Sequence, residues 1–168
     1  LNIREDDYFR IITGKTAALI SACTACGAKS VTDDQDAINL MRDFGESLGT
    51  AFQIRDDILD YQSTGLTGKP SGNDIKEKKI TLPLIHALQN VPVVAKKRIL
   101  GIVGSRKKSV EDIEAVVRFV TENGGIDYAT TKMYQYSDRA LAILDTYPDS
   151  EVKNSLREFV NYTVMRDK

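Results

Sequence analysis

Apolar residues along this chain recur at intervals of three and four almost throughout, and nowhere in the period-two alternation of a half-buried strand. Phe9, Ile12, Leu19 and Cys23 set one stripe, which predicts a helix over residues 5–28 with Gly27 as a stop near its end. Ile38, Met41, Phe44, Leu48 and Phe52 set a second, which predicts one long helix running on to Asp60. Its start falls where Thr32 or Asp33 can cap, and where Asp33, Asp34 and Asp36 favour the positive end of the helix dipole. The apolar run from Ile80 to Leu88 admits Pro83 only near the first turn of a helix. Val91-Pro92 reads as a turn, and a short helix follows over 93–103 with Lys96, Lys97 and Arg98 on a solvated face. Ser109 is placed to cap a helix through Val120, which Gly124-Gly125 breaks. A longer helix through Tyr128, Met133, Tyr136, Ala140 and Leu144 comes next, and after Pro148 a last one from Ser150 through Leu156, Phe159 and Tyr162. The expected fold class is all-α, an antiparallel helical bundle forming a single domain over 1–168.

Composition changes this picture little. The 168 residues are 42% hydrophobic and 28% charged, which suits one buried core. A formal net charge of −1 with scattered Lys and Arg argues against a nucleic-acid partner. No apolar run is expected to approach the roughly 20 residues that span a bilayer, and no signal peptide is expected, so the expected location is cytoplasmic. Cys23 and Cys26 share a helix face, but with one His in the chain a tetrahedral zinc site cannot be completed, and core thiols are the expectation. His86 reads as a structural or surface residue rather than a base.

Candidate chemistry is concentrated between Gly49 and Asp74. At about 100° per residue, with Asp56 as origin, Asp60 falls roughly 40° round the helix, Gln53 roughly 60° and Asp57 roughly 100°. All four polar groups therefore share one arc. Ala51, Ile54 and Ile58 flank it on one side, and Met41, Leu48, Phe52 and Leu59 on the other. Ionised carboxylates in such a setting are costly unless paired or metal-bound, and crowding raises their pKa unless a cation is present. Oxygen-only ligands on one helix suit Mg²⁺ serving a phosphate group; pairing with nearby Lys or Arg is the alternative. Three glycines and Pro70 between Gly65 and Gly72 then give a tight loop whose backbone N–H groups and Lys69 can reach an anion.

Two further features invite a reason. Lys15 interrupts an apolar stripe between Ile11 and Leu19, where it either snorkels to solvent or points at an anion, with the Thr16 hydroxyl beside it. Gly45 and Gly49 weaken the long helix by roughly 0.5–1 kcal/mol each relative to Ala. Either another helix approaches closely there, or the space is floor for a chain-like apolar ligand headed at Asp56.

Phe52-Gln53 followed by Asp56-Asp57-x-x-Asp60, then Gly68-Lys69-Pro70-x-Gly72-Asn73-Asp74, then Lys79-Ile80-Thr81-Leu82-Pro83-Leu84-Ile85 resembles the second aspartate-rich region of trans-isoprenyl (polyprenyl) diphosphate synthases, the long-chain hexaprenyl-to-decaprenyl branch above all. The resemblance covers the whole chain and is specific, because it combines an acid cluster, an upstream glutamine, a lysine loop and a Thr-Leu-Pro restart at matching spacings. It implies the C-terminal half of the isoprenoid synthase fold, since these proteins are about twice this long. The first aspartate-rich motif and the isopentenyl diphosphate site would lie in the other half.

For the intact enzyme the resemblance implies a trans-prenyltransferase of isoprenoid biosynthesis. Mg²⁺ at Asp56, Asp57 and Asp60, with Lys15, Thr16 and Lys69, would bind an allylic diphosphate and assist its ionisation. The double bond of isopentenyl diphosphate would attack the allylic cation, and a proton would pass to the released pyrophosphate. Gln53 would orient the diphosphate or support the cation, Phe52 would line the substrate site, and the elongating prenyl chain would favour the floor reading of Gly45 and Gly49. The basic end around Arg166 and Lys168 would approach the homoallylic diphosphate. A homodimer is implied for the full-length enzyme, with peripheral membrane contact to exchange a greasy ligand, while this half alone is expected to be inactive. A non-catalytic subunit of a synthase and a purely structural helical module are the alternatives.

Overall fold

The computed structural model of the chain describes residues 4–62 and 72–166. Nine α-helices and one π-helical turn are found among them, and no strand. α1 (Glu5–Ile12) passes through the π turn Thr13–Ala17 into α2 (Ala18–Lys29), and α3 (Gln35–Tyr61) is the long helix expected from the second stripe. α4 (Asn73–Lys76), α5 (Leu82–Ala87), α6 (Val93–Gly104), α7 (Val110–Glu122), α8 (Gly125–Asp145) and α9 (Glu151–Met165) complete the order. The described residues form two compact units, one from residues 4–8, 56–62 and 72–130, the other from residues 9–55 and 131–166. The boundaries between them fall inside α1, α3 and α8.

In the first unit, α4, α5 and α6 each pack on α7. The core is aliphatic: Ile58, Ile75, Leu82, Leu84, Val103, Val116 and Val120 are almost wholly buried. Ser109 closes the start of α7 with a reciprocal capping box, its hydroxyl accepting from the Asp112 amide at 3.2 Å and its own amide donating to the Asp112 carboxylate at 3.0 Å. α7 ends at Asn123, and Gly124 supplies the left-handed turn (φ +69°) into α8. Pro83 sits in the first turn of α5, where its missing N–H costs nothing.

In the second unit the core is Phe44 and Leu48 of α3 with Ala140 and Leu144 of α8 and Val160 of α9, and Ile20 of α2 packs against it. The two α3 glycines mark where α2 and the π turn cross. A Cβ on Gly45 would lie 2.7 Å from the Ser21 Cα and 2.8 Å from the Ile20 carbonyl oxygen, and one on Gly49 would lie 2.6 Å from the Ala17 Cα. Close helix approach therefore accounts for both glycines, and the floor reading is set aside. At the crossing, the Thr24 hydroxyl donates to the Met41 carbonyl at 2.6 Å and the Ser21 hydroxyl to the Arg42 carbonyl at 2.9 Å.

Several expectations are corrected. α3 starts one or two residues later than expected: Asp34, not Thr32 or Asp33, accepts the Asp36 amide at 3.0 Å, and Thr32 instead accepts the Asp34 amide at 3.1 Å. Gly27 does not stop α2, which continues to Lys29. Cys23 and Cys26 are both exposed, because the buried side of α2 is the one carrying Ser21 and Ala25. The helical run Glu5–Lys29 is, by length and composition alone, apolar enough to cross a membrane, contrary to expectation. Its many small Ala, Thr and Cys residues leave Lys15 as the single charge between Ile11 and Ala28.

Candidate active site

Lys15 and Thr16 lie on the π turn, where the Ala18 amide bonds the Thr13 carbonyl five residues back. Such single-turn expansions within α-helices recur at functional sites. They also give Gly14 a local reason: a poor α-helix former costs less where α geometry is already abandoned. Lys15 is exposed and Thr16 half-buried. The Thr16 hydroxyl donates to the Gln53 side-chain oxygen at 2.9 Å, joining residues 37 apart in sequence. One position before Gln53, the Phe52 ring lies under the Arg166 guanidinium, 4.1 Å from its centroid. Arg55 grips the Arg166 carbonyl with Nε–H at 2.9 Å and Nη2–H at 2.6 Å, so the end of α9 is held on the Phe52 side of α3.

α3 continues unbroken from Gln53 through Asp56, Asp57 and Asp60. Asp56 is half-buried and Asp57 only 4% exposed. The Tyr8 hydroxyl donates to Asp57 Oδ2 at 2.7 Å, from a ring that is itself buried. Burial, and then the neighbouring Asp57 charge, push the Tyr8 phenol well above its ordinary pKa, so it stays a donor at physiological pH. Asp60 is clamped differently. Its Oδ1 accepts the Asn73 amide and its Oδ2 the Asp74 amide, each at 2.9 Å, while its main-chain carbonyl accepts the Gly72 amide at 3.0 Å. Burial raises the Asp60 pKa, and the two amides pull against that rise. Next to it, the buried Tyr61 and Thr81 hydroxyls share a hydrogen bond at 3.2 Å, and Lys79 pairs with Asp74 at 3.3 Å.

The donors of the acid cluster are all oxygen, which suits a hard cation. Among the described residues, no three Asp, Glu, His or Cys side chains converge into a ready-made metal cradle. A cation here would need phosphate oxygens and water to complete its shell, which is how Mg²⁺ is ordinarily held.

Of the residues expected from sequence, the structure joins Thr16 to Gln53 and sets Phe52, Gln53, Asp56, Asp57 and Asp60 on one helix. Lys69 lies outside the described residues. Sequence reasoning missed Tyr8, Arg55 and the clamping role of Asp60. Tyr8 carried no signal beyond being a polar-tipped aromatic on an amphipathic helix, and Arg55 was legible only as the basic residue beside three acids.

Solved structures that share this fold are isoprenyl synthases. A geranylgeranyl pyrophosphate synthase from Bacteroides thetaiotaomicron is 38% identical with a TM-score of 0.88, over 96% of this chain and 54% of that one. A polyprenyl synthase from Caulobacter crescentus, solved with calcium and isoprenyl diphosphate, is 31% identical with a TM-score of 0.90, over 99% and 51%. The chain thus has the all-α isoprenyl synthase fold. The family model for polyprenyl synthetase matches residues 1–120, and the chain belongs to that family of prenyl diphosphate synthases, which generally depend on divalent metal ions. The octaprenyl diphosphate synthase of Escherichia coli is 31% identical over 99% of this chain and 52% of its own length. The chain spans about half the length of the curated relatives it matches.

Proposed function

We propose that this chain supplies the part of a polyprenyl diphosphate synthase that binds the allylic diphosphate, in an enzyme that condenses it with isopentenyl diphosphate. The observation that carries this reading is the 2.9 Å hydrogen bond from Thr16 to Gln53. It ties the Lys-Thr pair to the acid-bearing helix, two segments that the sequence singled out separately. In this reading Lys15 and Lys69 pair with diphosphate oxygens, Thr16 and Gln53 orient them, and the Phe52 ring borders the site. Asp56, Asp57 and Asp60 would hold Mg²⁺. Asp57 and Asp60 already accept protein hydrogen bonds and ligate only through their remaining lone pairs. The chemistry that Mg²⁺ held by these residues would supply is neutralisation of charge on the departing diphosphate. This chain supplies no nucleophile; its residues hold the diphosphate, orient it and exclude water. The relative solved with calcium and isoprenyl diphosphate supports this ligand chemistry. The complete enzyme is read as a cytoplasmic homodimer that meets a membrane surface when it exchanges prenyl chains.

Calorimetry with Mg²⁺ and pyrophosphate tests the reading. Heat that requires both partners and is lost in Asp56→Ala is expected, together with no product from this chain and the two diphosphate substrates. Heat independent of Asp56 would mean a structural module whose acids pair with Lys and Arg. A change in product length when the chain is mixed with a complete synthase would mean a regulatory subunit.

A further inference from the structure

Within the first unit, Tyr8 is a buried polar residue that the proposed reaction leaves unused, although it is paired with Asp57. The two residues are 49 apart in sequence, each only 4% exposed, and their oxygens are 2.7 Å apart. A carboxylate with so little water contact carries a large desolvation cost unless donors replace the lost water. A phenol O–H to a carboxylate is among the strongest neutral donors available, short and charge-assisted. Asp57 also follows directly on Asp56, so whatever rotates its carboxyl plane alters the field next to the proposed ligand.

We infer that Tyr8 is a positioning residue of the diphosphate site, its hydroxyl holding Asp57 Oδ2 and so fixing the orientation of the carboxylate that follows Asp56 on α3. The inference rests on the diphosphate reading above and extends it to a residue outside the aspartate-rich motif. Tyr8 touches neither metal nor substrate. It acts through Asp57, and its ring also fills a core position, which sets what the test must separate.

The experiment is a titration of the chain with pyrophosphate at fixed Mg²⁺, on wild type, Tyr8→Phe, Asp57→Ala and the double variant. Phenylalanine keeps the ring and deletes the donor. Loss of a hydrogen bond to a charged group is expected to weaken pyrophosphate binding by about tenfold or more. Tyr8→Phe should have no further effect once Asp57 is already Ala. A role confined to packing predicts instead an equal loss in both backgrounds, and overturns the inference. Replacing Tyr8 by 4-aminophenylalanine restores a donor without changing the ring and should return affinity to within about threefold of wild type. It also carries the test if Tyr8→Phe loses helix by circular dichroism. Equal affinity of wild type and Tyr8→Phe, or no rescue by the amino variant, refutes the positioning role alone. Absence of any pyrophosphate heat from wild type refutes the diphosphate reading, and with it the role of Tyr8 in it.

Discussion

Gly49→Ala is a direct measurement of how closely the π turn and α3 approach in the second unit. The added Cβ would lie 2.6 Å from the Ala17 Cα and 3.0 Å from the Ala17 Cβ. Those atoms belong to a helix backbone and its shortest side chain, so neither can rotate away. Overpacking of this kind costs about 1–3 kcal/mol, and the upper end applies where the obstacle is backbone. Against it stands the intrinsic gain from replacing a helical Gly by Ala, up to about 1 kcal/mol. The net expectation is a loss of about 2 kcal/mol, which for a chain of this size lowers Tm by about 4–8 °C. Gly27→Ala in α2 is the control, because its Cβ would meet nothing within 4 Å. Only the propensity term remains there, and Tm should rise by as much as about 2–4 °C. Thermal unfolding followed by far-ultraviolet circular dichroism compares the two. A Gly49→Ala chain as stable as wild type would refute close packing as the reason for this glycine and return it to the role of ligand floor.

The remaining expectations concern caps, titration and thiols. Ser109→Ala removes half of the capping box of α7 and should cost about 1 kcal/mol in the same unfolding assay. Tyr128 donates to both Glu5 oxygens at 2.8 Å and stacks on His86 at 3.9 Å, and burial followed by the Glu5 bond pushes its phenol up to about 12. The folded chain therefore holds this proton more tightly than the unfolded one, so the stability it confers is complete below about pH 10 and lost as pH rises toward 12. Tyr128→Phe should flatten that part of the stability profile, and an unchanged slope in denaturant melts at pH 10–12 would count against the assignment. Cys23 and Cys26 are exposed, so both should react with an aromatic disulfide reagent in the native chain at rates close to those of a small thiol. Protection of either until denaturant is added would restore the core assignment.

What the sequence determined is what lies within a turn or two of itself. Ser109 three residues before Asp112, Ser150 at the head of α9, Gly124 after α7 and Pro83 in the first turn of α5 are local chemistry, and each helix begins or ends where that chemistry puts it. The arc of Gln53, Asp56, Asp57 and Asp60 is likewise a property of one continuous helix. Periodicity alone shows that a helix has an apolar side, not which helix meets it. So periodicity puts the thiols of α2 inward although Ser21 and Ala25 take that side, and it leaves Gly45 and Gly49 open to two readings that only the contacts with Ser21, Ile20 and Ala17 separate. The partners of the acids came only from tertiary structure: Tyr8 on Asp57 across 49 residues, and the Asn73 and Asp74 amides on Asp60 across 13 and 14. A hydrogen bond between distant segments depends on where the packed backbones end up, which a spacing rule within one helix does not encode.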